Sequence, residues 1–207
     1  MHRSWFAVAK ASGLSVKTLV YLHGYNSSAQ SHKARLTSEW FAEHHPRLTV
    51  NVPQLPDLPR DIERSVDGLL GALDTSGQEF GLIGSSLGGF YANFFAEKYC
   101  CKAVLVNPAV YPHKLLGSML GPHRNEYTGK RFTVDADVIE QLRQSVVETM
   151  ANPFSRLVLV QKGDEVLDYR DAEHFFAASR LRIESGGDHS FTSYEQWLPE
   201  IASFLMT

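Results

Sequence analysis

Hydrophobic and polar positions alternate along this chain in two rhythms. Short runs rich in β-branched and aliphatic residues, Thr18–Leu22, Leu48–Val52, Phe80–Ile83, Ala103–Asn107 and Leu157–Val160, read as buried strands. Arg180–Glu184 alternates strictly, as an edge strand would. Between these runs the apolar residues fall at helical spacing. Ser31 to His44 places Leu36, Trp40 and Phe41 inward and stops before Pro46. Pro59 suits the first turn of a helix, and Ile62, Val66, Leu69, Leu70 and Leu73 then form one stripe, closed by Ser76-Gly77. Further helices carry Leu87, Phe90, Tyr91, Phe94 and Phe95; Ala172, Phe175 and Phe176, starting at Asp168; and Tyr194, Trp197, Leu198, Ile201, Phe204 and Leu205.

Strand followed by helix, repeated, predicts an α/β class fold: a mainly parallel sheet of about six strands, right-handed crossovers and helices on both faces. Residues 1–207 form a single domain on this reading. The alternation breaks at residues 109–152. Tyr111, Pro112, Gly117, Gly121, Pro122 and Gly129 predict irregular chain, and a helix from about Asp135 to Met150 carries Val138, Leu142 and Val146. This is a small insertion over the sheet, either a cap above a site or extra surface packing. Residues 1–17 are weakly patterned and read as an N-terminal extension without an assigned role.

Composition narrows the classes. A net charge of −3 over 207 residues offers no basic surface for nucleic acid and no acidic tail. No apolar run approaches the roughly 18 residues of a membrane span, and the apolar N-terminal stretch after Arg3 ends at Lys10, too soon for a signal peptide, so a cytoplasmic protein is expected. Cys100 and Cys101 are adjacent and do not make a disulfide framework; two thiols at a helix end are expected. The nine histidines show neither H-E-x-x-H nor a Cys/His cluster, so no structural or catalytic metal is expected.

The chemistry gathers at strand ends. Gly84-Ser85-Ser86-Leu87-Gly88 fits G-x-S-x-G, a serine on a tight strand-to-helix turn whose flanking glycines remove colliding Cβ atoms. Ser86 also sits at a helix N-terminus, which favours developing negative charge. His23-Gly24-Tyr25, Asp164 and His189 follow other strands. A serine needs a base within reach, and imidazole, which titrates near neutrality, makes His189 the candidate. Asp164 would hold the other ring nitrogen. It is preferred to Asp188, whose side chain diverges from its neighbour's, and to Asp168, placed to cap a helix. The N–H groups of Leu87 and Tyr25 are the candidate oxyanion donors. A turn aspartate and a solvated turn histidine are the bland alternatives for Asp164 and His189, and His23 reads as structural, shaping its loop.

The order Ser, Asp, His is that of α/β-hydrolases. Tyr21–Ser28, Ile83–Ala92, Val106–Ala109, Gly163–Tyr169 and Gly187–Phe191 together resemble the YqiA-like esterases, small bacterial members of that superfamily, over roughly residues 18–206. The resemblance implies an α/β-hydrolase fold and hydrolysis of small acyl esters or thioesters by Ser86, Asp164 and His189 without a cofactor. An acyl-CoA thioesterase and a catalytically silent binding protein of the same fold are the alternatives. The expected partner is a small-molecule substrate, with no nucleic acid and no membrane; oligomeric state is not legible.

Overall fold

The computed structural model describes residues 16–207. The strands are β1 (Thr18–Leu22), β2 (Thr49–Asn51), β3 (Phe80–Ser85), β4 (Ala103–Val106), β5 (Gly121–Arg124), β6 (Arg131–Val134), β7 (Arg156–Gln161) and β8 (Arg180–Glu184). The helices are α1 (His32–His44), α2 (Pro59–Thr75), α3 (Leu87–Tyr99), α4 (Pro112–Gly117), α5 (Ala136–Gln144), α6 (Tyr169–Phe175) and α7 (Leu198–Met206). Six strands make one sheet in the order β2-β1-β3-β4-β7-β8, with every pairing parallel. All six are the expected ones. Of the N-terminal extension, only Val16 and Lys17 lie among the described residues; Lys17 reaches the sheet, its N–H donating to Glu79 and its carbonyl accepting from Thr49.

Period-two alternation divides the sheet's side chains between two cores. Val20, Leu22, Leu82, Leu105 and Val158 face one; Leu19, Tyr21, Ile83, Val104 and Leu157 face the other. Helices α2, α3, α5 and α6 cover the first face, and α1 and α7 the second. The change of face has a cause. The chain moves outward from β1 to β2 through α1, then back past β1 to β3 through α2, and one handedness of crossover requires the return helix to lie opposite. The α2 stripe buries Ile62, Val66 and Leu70 almost completely, about 1.5–3 kcal/mol each. Helix α3 lies between sheet and outer helices and is buried nearly all round.

Reversal of direction makes the β1–β3 boundary a switch point, where α/β sheets open a crevice at their carboxyl ends. Register levels those ends: Leu22 pairs Gly84, and Ser85 pairs Val106. The loops after β1, β3 and β4 therefore share one rim.

The insertion differs from expectation. Its first part is not irregular: α4 is followed by an antiparallel hairpin, β5 with β6, in which Gly121 faces Val134. Gly-Pro-His-Arg carries no strand signal, and Gly121 holds a φ of 127°. Helix α5 ends at Gln144 rather than Met150, where the Ser145 hydroxyl turns to Glu63 of α2 and to the Gln141 carbonyl. The C-terminal helix also starts late, because Pro199 has no N–H for a helical bond to Glu195; Tyr194–Trp197 is a 3-10 turn instead. Cys100 is exposed and Cys101 half-buried, both free.

Candidate active site

Ser86 sits between β3 and α3 at φ 56°, ψ −122°, a conformation that non-glycine residues seldom adopt. Its surroundings hold it there. Its N–H donates to Val106 at 3.0 Å, and its carbonyl accepts from Gly89, Phe90 and Ala109. A methyl group at Gly84 would fall on the Gly88 carbonyl, and one at Gly88 on the Leu22 carbonyl. The two glycines of the motif are thus required by backbone contact between turn, helix and β1. Gly24 is close as well: a Cβ there would lie 3.3 Å from that of Ser86.

The structure brings the three candidate side chains together. His189 Nε2 lies 3.1 Å from Ser86 Oγ, and His189 Nδ1 lies 2.9 and 3.0 Å from the two oxygens of Asp164. The carboxylate only accepts, so Nδ1 carries the ring proton and Nε2 is free to accept from the serine. The Asp164 side chain is 2% exposed and that of His189 24%. Asp164 Oδ1 also accepts from the N–H groups of Leu167 (2.8 Å) and Val166 (2.9 Å). Burial works to raise this carboxyl, but the His189 hydrogen bond and those two N–H groups outweigh it, so it lies below the ordinary value. The other aspartates are occupied elsewhere. Asp168 caps α6 by accepting from Arg170 N–H, and Asp188 accepts from the Thr192 hydroxyl.

Several supporting residues were not singled out by sequence. Asn107 Oδ1 accepts from Gln161 N–H at 2.9 Å, while its Nδ2 donates to the Asp188 carbonyl at 3.0 Å. Buried Gln161 binds Glu184, Thr192 and the Asp188 N–H through its side chain. Glu165 accepts from the His189 N–H, and Lys33 of α1 donates to the Ser190 carbonyl at 2.8 Å. Burial pulls the Lys33 ammonium below its ordinary value, against the pull of Asp188 and Asp164. Asn107 and Glu165 lie inside blocks already quoted, but nothing in those blocks marks either as a support.

On the β1 side, the N–H groups of Tyr25 and Leu87 have no acceptor among the described residues, as oxyanion donors require. His23 points away from the serine. Leu55 N–H donates to its Nε2 at 3.0 Å, so the proton is on Nδ1, which donates to the Gly24 carbonyl at 3.0 Å. Burial lowers its pKa, against the Gly24 carbonyl and Asp57, and both ring nitrogens are engaged in bracing the loop. Tyr25 and Leu87 border a cleft of about 300 Å³, counting solvent at its mouth. The insertion reaches this cleft: Asn125 donates to Asp57 at 2.6 Å, and Asn26 accepts from Glu126 N–H at 2.9 Å. Among the described residues no group of three or more His, Cys, Asp or Glu side chains could hold a metal ion, and no helix is long and apolar enough to cross a membrane.

Solved structures share this architecture. A monoacylglycerol lipase of Paleococcus ferrophilus superposes with a TM-score of 0.67 at 15% identity, covering 92% of this chain and 95% of that one. Est1E of Butyrivibrio proteoclasticus, solved with ferulic acid bound, gives 0.64 at 11% identity, covering 94% and 89%. The α/β hydrolase domain-containing protein 10 of mouse gives 0.65 at 14% identity, covering 90% and 86%. At such identities these likenesses establish the α/β-hydrolase fold. Residues 18–206 match the model of a family described as an uncharacterised protein family (UPF0227), and the chain belongs to that family, the YqiA-like one its five sequence blocks resemble.

Proposed function

We infer that this protein is a serine esterase, hydrolysing small acyl esters or acyl thioesters through an acyl-enzyme. One observation carries the reading: the continuous hydrogen-bonded relay from Ser86 Oγ through His189 to buried Asp164. Ser86 Oγ attacks the carbonyl carbon as its proton passes to His189 Nε2. The carbonyl oxygen, now negative, takes the N–H groups of Tyr25 and Leu87. Asp164 stabilises the imidazolium and fixes its orientation. Collapse breaks the bond to the leaving oxygen or sulfur, which takes the Nε2 proton. A water then gives a proton to Nε2 and attacks the acyl-enzyme, and the second collapse frees the acid and returns the proton to Oγ. Fold neighbours that include the monoacylglycerol lipase of Paleococcus ferrophilus and an esterase of Pyrococcus furiosus support this reading.

The test is covalent. A fluorophosphonate should label the wild type and not Ser86→Ala, and Ser86→Ala should lose about 10⁴–10⁶ in turnover on p-nitrophenyl esters while staying folded. Acyl-CoA thioesters assayed beside the esters separate the two substrate classes. A folded wild type that takes no label is a binding protein of this fold, not an esterase.

A further inference from the structure

Two hollows lie along helix α3, which starts just after Ser86. On the β4 and β7 side, a hollow of about 220 Å³, counting solvent at its mouth, is lined mainly by Phe90, Val110, Val146, Phe175 and Phe176, with Asn93 the one polar side chain. The cleft on the β1 and β2 side has a different character. Tyr25, Asp57, Tyr91 and Asn125 line it beside Leu87 and Ile62. Tyr91 is fully buried, and its hydroxyl, like that of Tyr25, is buried with no hydrogen-bond partner among the described residues. Asp57 spends one oxygen on Asn125; its other takes no hydrogen bond among the described residues. Two stripped hydroxyls and half a carboxylate around one cleft are unfavourable unless something polar enters it.

Reaction geometry says what enters. The leaving atom must face His189 Nε2 to be protonated, and His189 reaches Ser86 over Asn107, from the β4 side. The carbonyl oxygen takes the Tyr25 and Leu87 N–H groups. The acyl substituent can then lie past the two donors, over the polar cleft that Tyr25 and Leu87 border on the β1 and β2 side.

We propose, resting on the esterase reading, that this cleft is the acyl pocket and that it selects short acyl groups carrying a hydroxyl over plain alkyl ones. A hydroxyl both donates and accepts, so it can give its proton to the free oxygen of Asp57 and take one from a tyrosine. A methyl group in its place leaves those groups unpaired. A carboxylate in its place meets the charge of Asp57.

The experiment compares two near-isosteric p-nitrophenyl esters, 3-hydroxybutyrate and 3-methylbutanoate, each rate corrected for its uncatalysed hydrolysis. The wild type should favour the hydroxy ester in kcat/KM by about tenfold or more, and Tyr91→Phe should bring that ratio toward one, whatever it does to absolute rates. Should Tyr91→Phe not fold, Asp57→Asn, which keeps an acceptor for Asn125, must lower the ratio instead. If the wild type takes the fluorophosphonate label yet favours the methyl ester, cleaves neither, or keeps its ratio in the folded variants, the inference is overturned and the esterase reading stands. If it takes no label and cleaves neither ester, the esterase reading itself has failed.

Discussion

Asn107 donates its side-chain amide to the Asp188 carbonyl at 3.0 Å, one residue before the candidate base, while accepting the Gln161 N–H at 2.9 Å. One side chain therefore ties the end of β4 to the end of β7 and to the histidine loop. Replacing it by alanine leaves a buried N–H unpaired, a loss of about 1–3 kcal/mol, and frees the loop, which should lower turnover about 10–10²-fold. Asn107→Asp separates the two effects. It restores an acceptor for Gln161 and part of the stability, but has no donor for the loop, so turnover should stay low. Recovery of turnover in Asn107→Asp would remove the positioning role.

Three aspartates lie near the relay, and only Asp164 touches the imidazole. Asp164→Asn should fold and lose about 10⁴ in turnover, because the amide favours the wrong tautomer. Asp168→Asn should cost little, since asparagine caps a helix almost as well. Asp188→Asn keeps an oxygen to accept from Thr192 and loses its charge beside Lys33, away from the imidazole. Turnover and unfolding of all three, measured side by side, check the order; a larger catalytic loss at Asp168 or Asp188 overturns it.

Acid should destabilise the protein in two ranges. His23 is held neutral in the fold, below its ordinary 6.5, so below that pH the unfolded chain binds the extra proton and stability falls. Asp164 acts lower. Its carboxyl lies under the ordinary 3.8, and its contribution, full above that value, is lost as pH falls through the folded-state value. His23→Gln keeps an acceptor for Leu55 N–H and cannot titrate. The gap between denaturation midpoints at about pH 7.5 and 5.5 should narrow in that variant, the remainder falling to His113, which burial also lowers; an unchanged gap would show that His23 is not a source of the slope.

Loops carrying the acid and the base meet backbone to backbone. Gly163 N–H donates to the Gly186 carbonyl at 2.8 Å, and a methyl group on Gly163 would fall on the Gly187 carbonyl. Gly163→Ala should part the loops and lower turnover more than about 10-fold while the rest of the sheet stays intact. A control at Gly68, where a Cβ meets nothing within 4 Å, should be silent or slightly stabilising. Equal activity in the two variants would deny the loop contact any catalytic weight.

Local pattern made the sheet and the three candidate residues legible, because buried parallel strands are continuous apolar runs and the chemistry falls where those runs stop. The hairpin was hidden for the opposite reason. His123 and Phe132 face each other across it and meet Tyr25, so its stability comes from contact with the core loops rather than from its own residues. Asn107 and Gln161 were hidden because a polar residue ending a strand looks like any turn residue until its partners, 81 and 31 residues away, are in place. The polar cleft was beyond reach for the same reason: Tyr91 belongs to an apolar helical stripe, and only the fold shows that its hydroxyl lacks a partner.

The relay joins residues 103 positions apart. On a ribosome adding about 5–20 residues per second, Ser86 is made roughly 5–20 s before its base. Throughout that interval the growing chain holds a serine with nothing to activate it. Leu205, in α7, then packs against Gly81 in the strand that leads to Ser86. Any reactivity of Ser86 that depends on His189 therefore waits until the chain has been made through residue 189 and folded.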